Sequence, residues 1–372
     1  MHRGLREFIQ WIETHRDTDL IRLNAPATVA ELAELEQELG EPLPTDLRLV
    51  LTRFNGGKLP NGTLLPAGIG PGSIGATVRE YAAKVGKDFL NPDLLLPFFR
   101  TEDDSLLAFD RSAGPVADTW PIVDYFPDTG EHNLVYRTFD GFCRVCVANW
   151  TSPDFSKDFD LDVYLRQGQR HAAVEQDVGA AHVTVAHASK RLGLPAQALE
   201  HYLMAARCVP PLPWCDWEAL KIAAILDKDQ CAREAASRLS TIGPESSWAR
   251  RETTPVKVAE VSAPIAARAP DKRPWLRIFD QLLAQVQNDP DATATIGAIR
   301  QAIVNGQEAP APRHGRQGLV PNTGDTESWW QALRSSYHQG YVRDEDLLLD
   351  PGLQPLRRQR EFGELLSFRR DF

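Results

Sequence analysis

The sequence predicts two fold classes in tandem: an α+β N-terminal domain, in which helices accompany an antiparallel meander sheet, then an all-α, repeat-like C-terminal domain. Three observations carry this. Within residues 1–150, helical apolar spacing gives way to short β-rich runs and then returns. From about residue 170 the apolar spacing is helical only. The chain has 372 residues, 42% apolar and 25% charged, which is ordinary globular usage and enough for more than one core.

Leu5, Phe8, Ile9 and Ile12 recur at i, i+3, i+4 and i+7, so residues 3–15 read as an amphipathic helix. A second helix is expected from the capping box Thr28-Val29-Ala30-Glu31, with Val29, Leu32, Leu35 and Leu39 on one side and Gly40 as its stop. Leu43-Pro44-Thr45 restarts the chain in a third helix that carries Leu47, Val50, Leu51 and Phe54 and ends at Asn55-Gly56-Gly57. After a Gly/Pro-rich stretch (60–75) and a short helix (76–86), three runs read as adjacent antiparallel strands: Ser105–Phe109, Ile122–Phe126 and Leu134–Thr138. Phe139, Phe142, Cys143, Cys146, Val147 and Trp150 then lie on one face of a helix that closes the domain.

Farther on, Val174, Val178, Ala181, Val185 and Leu192 are expected to line one helix, and Leu194–Arg207 forms the next. Pro-rich residues 252–274 and Pro/Gly-rich residues 306–327 read as linkers or mobile loops. Between them Trp275, Ile278, Phe279, Leu282, Leu283 and Val286 mark an amphipathic helical segment, 275–305. A C-terminal helical segment, 328–372, keeps apolar anchors at Leu353, Leu356, Phe362, Leu365 and Leu366. The remaining boundaries are 1–166 for the α+β domain and 167–251 for the first helical region.

Charge separates the halves. Residues 1–166 hold 16 Lys and Arg against 26 Asp and Glu, a net of −10, whereas residues 167–372 hold 25 of each. Such a surplus repels nucleic acid and speeds encounter with a basic partner. No stretch approaches the roughly 18–20 uncharged apolar residues of a membrane span, and the start, Met1-His2-Arg3-Gly4-Leu5-Arg6-Glu7, lacks a signal-like apolar core. Five sparse cysteines suit a reducing compartment, so the expected location is the cytoplasm.

The candidate chemical motifs read as structural. Cys143-Arg144-Val145-Cys146 has redox or zinc spacing, but both cysteines lie on the apolar stripe and no second pair follows, so they are expected to be buried small hydrophobes. Gly70-Pro71-Gly72-Ser73-Ile74-Gly75 satisfies GxGxxG, yet Thr63–Pro66 before it looks too short for a buried strand, and a flexible loop is expected. His182 and His187 are five apart, the wrong spacing for two ligands on one helical face. No nucleophile or carboxylate frame of a known catalytic type occurs, so neither an enzyme nor a cofactor or metal site is expected.

The run Glu31-Leu32, Leu35-Glu36, Leu39-Gly40-Glu41-Pro42-Leu43-Pro44, Leu47, Leu51, Phe54-Asn55-Gly56-Gly57, with Phe109-Asp110, Val123–Phe126 and Thr138-Phe139-Asp140-Gly141-Phe142 after it, resembles the SUKH superfamily, the Smi/Knr-type domain, over about 20–150. Its motif positions here are Glu36, Leu43, Pro44, Asn55, Gly56, Gly57, Phe139 and Phe142. The resemblance implies an α+β fold that binds proteins, with bacterial members that neutralise a toxin and fungal members that regulate cell-wall synthesis. Separately, Ala186, Gly193, Ala198, Tyr202, Ala205 and Pro210 fall at offsets similar to a tetratricopeptide repeat; His182 departs from the usual aromatic.

The expected function is therefore non-catalytic: a bacterial immunity protein that captures a basic toxin domain. The expected contacts are Glu102, Asp103, Asp104, Asp110, Asp124, Asp128 and Glu131, which lie on or beside the strands and turns; Asp118 belongs to the same acidic set. The alternative is an intracellular scaffold or cell-wall-synthesis regulator that recruits partners through its helical half.

Overall fold

The computed structural model describes residues 2–85, 94–112, 120–126, 132–155, 161–192, 194–226, 228–239, 265, 272–285, 287–288, 290–305 and 330–334. The chain divides into two compact units, Met1–Lys157 with Arg170–Ala181, and Asp158–Gln169 with His182–Phe372.

The first unit opens with α1 (Arg3–His15), β1 (Arg22–Leu23), α2 (Val29–Leu39) and α3 (Thr45–Leu51). The Thr28 hydroxyl accepts from Glu31 N, the Glu31 carboxylate accepts from Thr28 N, and Gly40 closes α2 at φ 73°. Leu32 and Leu35 are buried, but Val29 is 79% exposed, a correction to the expected face: the first turn of α2 stands outside the core.

Next come β2 (Gly57–Leu59), β3 (Gly62–Leu64), α4 (Ile74–Val85), β4 (Leu95–Thr101), β5 (Leu106–Asp110), β6 (Ile122–Tyr125), β7 (His132–Tyr136) and α5 (Phe139–Trp150). The strands form one seven-stranded antiparallel meander in the order β1 to β7. The three expected strands are β5, β6 and β7; the other four went unread. The first three are too short to show alternation, and β4 carries Pro97 with a register shift beside it. Of Thr63–Pro66, expected to be too short for the buried strand of a dinucleotide fold, Thr63 and Leu64 belong to β3, which is antiparallel and not the parallel strand that fold requires.

One sheet face packs on helices: Leu96, Phe98, Phe99, Leu107, Phe109 and Ile122 meet Leu5, Phe8, Ile12, Leu47, Phe139 and Phe142. Alternate residues Leu95, Leu106, Ala108, Val123 and Tyr125 form a second buried cluster on the other face. Asp140, in the first turn of α5, accepts from Leu5 N at 2.9 Å and so fixes the start of α1 against α5.

Beyond α5 the described elements are helical: α6 (Leu161–Val174), α7 (Gly179–Arg191), α8 (Pro195–Arg207), α9 (Pro213–Leu226), α10 (Asp229–Leu239), α11 (Arg273–Gln285) and α12 (Pro290–Asn305). The single helix expected through Val174 and Leu192 is two, α6 and α7, because the backbone leaves the helix at 175–178. In the second unit, Ala186, Ala198, Ala205, Ala219, Ala223, Ala232 and Ala235 sit fully buried where α7, α8, α9 and α10 pack, with Tyr202 and Trp217 between them. Small residues let helix backbones approach closely. Trp275, Ile278, Phe279 and Leu282 of α11 join the same core. The expected linkers fall outside the described residues apart from Ile265 and the start of α11; of the C-terminal segment, 330–334 is helical, with Trp330 and Leu333 buried.

Candidate protein-binding surface

The SUKH-type motif positions form a scaffold. Glu36 receives N–H donors from Leu43 (3.0 Å) and Arg48, clamping the corner between α2 and α3; burial opposes its ionisation, yet these donors hold its carboxyl below the ordinary value. Leu43 is buried and Pro44 stands at the N-cap of α3. Asn55 is 7% exposed, and its side-chain oxygen accepts from Ala67 N while its backbone N–H donates to Ala25. Gly56 and Gly57, at φ 74° and 128°, lead into β2. Phe139 and Phe142 lie in a ring cluster with Phe98, Phe99 and Phe109, centroids 5.4–5.8 Å apart.

The acidic residues divide between two ends of the sheet. Glu102, Asp103 and Asp104 are exposed in the β4–β5 turn. Thr101 N donates to Ser105 O (3.0 Å), Asp104 adopts φ 64°, and the Thr101 and Ser105 hydroxyls meet at 2.8 Å. The Thr101 hydroxyl also donates to Asp103, and the Ser105 hydroxyl lies 3.4 Å from the same carboxylate. The turn is therefore held in one geometry by its own side chains. Asp124 pairs across from Leu107, near this end. Desolvation raises its carboxyl pKa, Ser105 opposes that with a hydrogen bond, and the Asp103 charge adds to the rise. Its Oδ1 is buried without a hydrogen-bond partner. Asp110 lies at the other end of β5, accepting from Ser112 N and Oγ. Asp118, Asp128 and Glu131 fall outside the described residues. Sequence reading missed Thr101 and Ser105; hydroxyls flanking an acidic triplet were the available signal.

The remaining motifs are occupied internally. Cys143 and Cys146 are buried, and desolvation raises both thiols far above the range of a reactive thiolate or ready metal ligand. In the GxGxxG segment, Ser73 N donates to Gly70 O, Ile74 N to Pro66 O, Gly75 N to Gly68 O, Ala76 N to Ser73 Oγ and Thr77 N to Ser73 O. The segment is thus tied down, and the amides that would cradle a phosphate at the start of α4 already have acceptors. Among the described residues no three His, Cys, Asp or Glu side chains are grouped to hold a metal ion, and no helix is long and apolar enough to cross a membrane.

Helices packed on a meander sheet, with a rigid acidic turn at one end, define an α+β domain built around a continuous antiparallel sheet. Residues 26–144 match the model of the SMI1 / KNR4 family (SUKH-1). The family includes immunity proteins and cell-wall regulators, and its domains are protein-interaction domains. The match covers about one third of the chain and does not extend to the helical unit. No curated protein matches the chain.

Proposed function

We propose that the protein is a cytoplasmic, non-catalytic immunity protein that neutralises a basic toxin domain through the acidic turn of its SUKH-1 domain. The observation that carries this reading is the SUKH-1 match together with the exposed Glu102-Asp103-Asp104 turn it contains. A nucleic-acid-cleaving toxin presents Lys and Arg to phosphates; a fixed carboxylate triplet, with Asp124 beside it, offers those cations an alternative. Asp110 lies at the opposite end of β5 and Asp128 and Glu131 fall outside the described residues, so the proposed interface centres on the β4–β5 turn and Asp124, and the helical unit adds further contacts.

The test is co-expression with the toxin encoded by the neighbouring gene, using wild type and a variant carrying Glu102→Lys, Asp103→Asn, Asp104→Asn and Asp124→Asn. Asn keeps the left-handed conformation at 104 accessible. The variant is expected to bind at least about tenfold more weakly at low salt and to lose protection. Unchanged protection rejects the acidic turn as the interface.

A further inference from the structure

Among the described residues strand β7 is the last strand of the sheet, and a terminal strand normally leaves a row of backbone donors and acceptors free to pair with another chain. Here two such groups flank Tyr136. The Val135 carbonyl faces the His171 ring, with Nε2 2.8 Å away, and the Arg137 N–H donates to Glu175 Oε2 at 3.2 Å. A carbonyl at one residue and an N–H two residues on are the pair of groups that an added strand would bind. His171 and Glu175 are four residues apart, joined by the Glu175 N–H donating to His171 O at 2.8 Å, so one helical turn presents an imidazole N–H and a carboxylate where a strand would present an amide and a carbonyl.

The surrounding contacts hold that turn in place. Arg170 donates to Asn149 (2.9 Å) and Asp154 (3.1 Å), the Arg137 guanidinium donates to Asp177 O (3.1 Å), and the Tyr136 and His171 rings lie 4.9 Å apart. Glu175 is 6% exposed and sits where α5 begins; a Cβ on Gly141 would overlap its carboxylate oxygen. A carboxylate at a helix N-terminus is favourably placed. All these residues belong to the first unit, yet Arg170–Ala181 lies beyond the SUKH-1 match.

We infer that Arg170–Ala181 is a built-in edge cap, in which His171 and Glu175 stand in for an eighth strand and prevent β7 from pairing with β7 of a second copy of this chain. The only ionisable side chains of His132–Arg137 are His132, Tyr136 and Arg137, so no carboxylate on the strand takes over the protective role. This inference is independent of the toxin-binding reading, because the acidic turn lies in the β4–β5 connection and not on β7.

The experiment uses the full chain: wild type, His171→Ala/Glu175→Ala, and Glu175→Gln, which keeps an acceptor oxygen. Hydrogen exchange is read at Arg137, with β5 amides as a fold control, and self-association is followed by sedimentation across a hundredfold concentration range. In the double variant the Arg137 amide is expected to exchange at least tenfold faster at low concentration, with β5 protected and a dimer at high concentration; Glu175→Gln is expected to remain near wild type. Unchanged Arg137 exchange in the double variant, or an exposed Arg137 amide in a chain that stays monomeric, overturns the cap. Should the double variant lose β5 protection, Glu175→Ala alone gives the same two readings, and unchanged exchange or strict monomer there is equally decisive against it.

Discussion

Gly57 carries the backbone at φ 128°, and a Cβ there would overlap the Arg22 carbonyl across the β1–β2 pair. On Gly56, at φ 74°, a Cβ would lie 2.6 Å from Leu64 O. Neither obstacle is a flexible side-chain end, so the chain cannot relax locally. Gly57→Ala is expected to lower unfolding stability by roughly 2–3 kcal/mol in urea titration, the sum of left-handed strain and backbone displacement. A cost below about 0.5 kcal/mol would show that β1 moves aside freely. The sequence alone marked these two glycines as the end of a helix. It could not reveal what they approach, because Arg22 and Leu64 are brought together only by strand pairing. Asp124 shows the same division: its acidic character is plain in the sequence, while its burial and its orphaned oxygen depend on β5 and β7 flanking β6.

At the scale of elements, helices were legible wherever one apolar face met one core, as in α1, α2 and α5. Strands β4 to β6 bury both faces and so read as apolar runs; β5 and β6 were bounded by turn signals, whereas Pro97 obscured β4. Helix pairs in the second unit carry polar contacts that no periodicity shows. His182 and His201 join α7 to α8 with their Nδ1 atoms 3.1 Å apart, a distance that permits one shared proton. Desolvation, then the neighbouring His182, lowers the His201 pKa, and Glu200 opposes them. A depressed folded-state value means the unfolded chain binds the proton more readily, so this stability is present above about pH 6.5 and lost as pH falls. His201→Gln is expected to flatten the decline in urea midpoint between pH 7 and 5; an identical slope would remove the pair as its source.

Between α9 and α10 the sign reverses. Asp216 is 1% exposed, and desolvation pushes its pKa up to about 6 although the Arg238 fork donates to it at 2.7 and 2.9 Å. The folded state then holds the proton more tightly than the unfolded one, so ionisation costs stability above about pH 6 and this cost fades as pH falls towards 4. Arg238→Met leaves that carboxyl without its fork. We expect a loss of about 3–5 kcal/mol at pH 7, partly recovered at pH 5, from denaturant titrations at the two values. A loss that does not depend on pH would place the effect in packing rather than charge.

For the whole molecule, the first unit ends at Lys157 and resumes at Arg170, while the charge surplus is confined to residues 1–166. A binding test with the separated domain must therefore retain the chain through Ala181, since ending at 166 removes Glu175 and His171 from β7. The charge division also makes a kinetic prediction. Screening lengths shrink from about 10 Å at 0.1 M salt to about 3 Å at 1 M, so a net −10 half steers a basic partner chiefly at low salt. On the proposed function, the association rate with the basic toxin domain is expected to fall at least about tenfold between roughly 0.02 and 0.5 M salt, with a smaller change in dissociation. The charge-reduced β4–β5 turn should lower the low-salt rate and flatten the slope, since the carboxylates nearest the interface dominate steering. A rate indifferent to salt would mean that recognition is apolar and that the acidic turn is only a solvated end of the sheet.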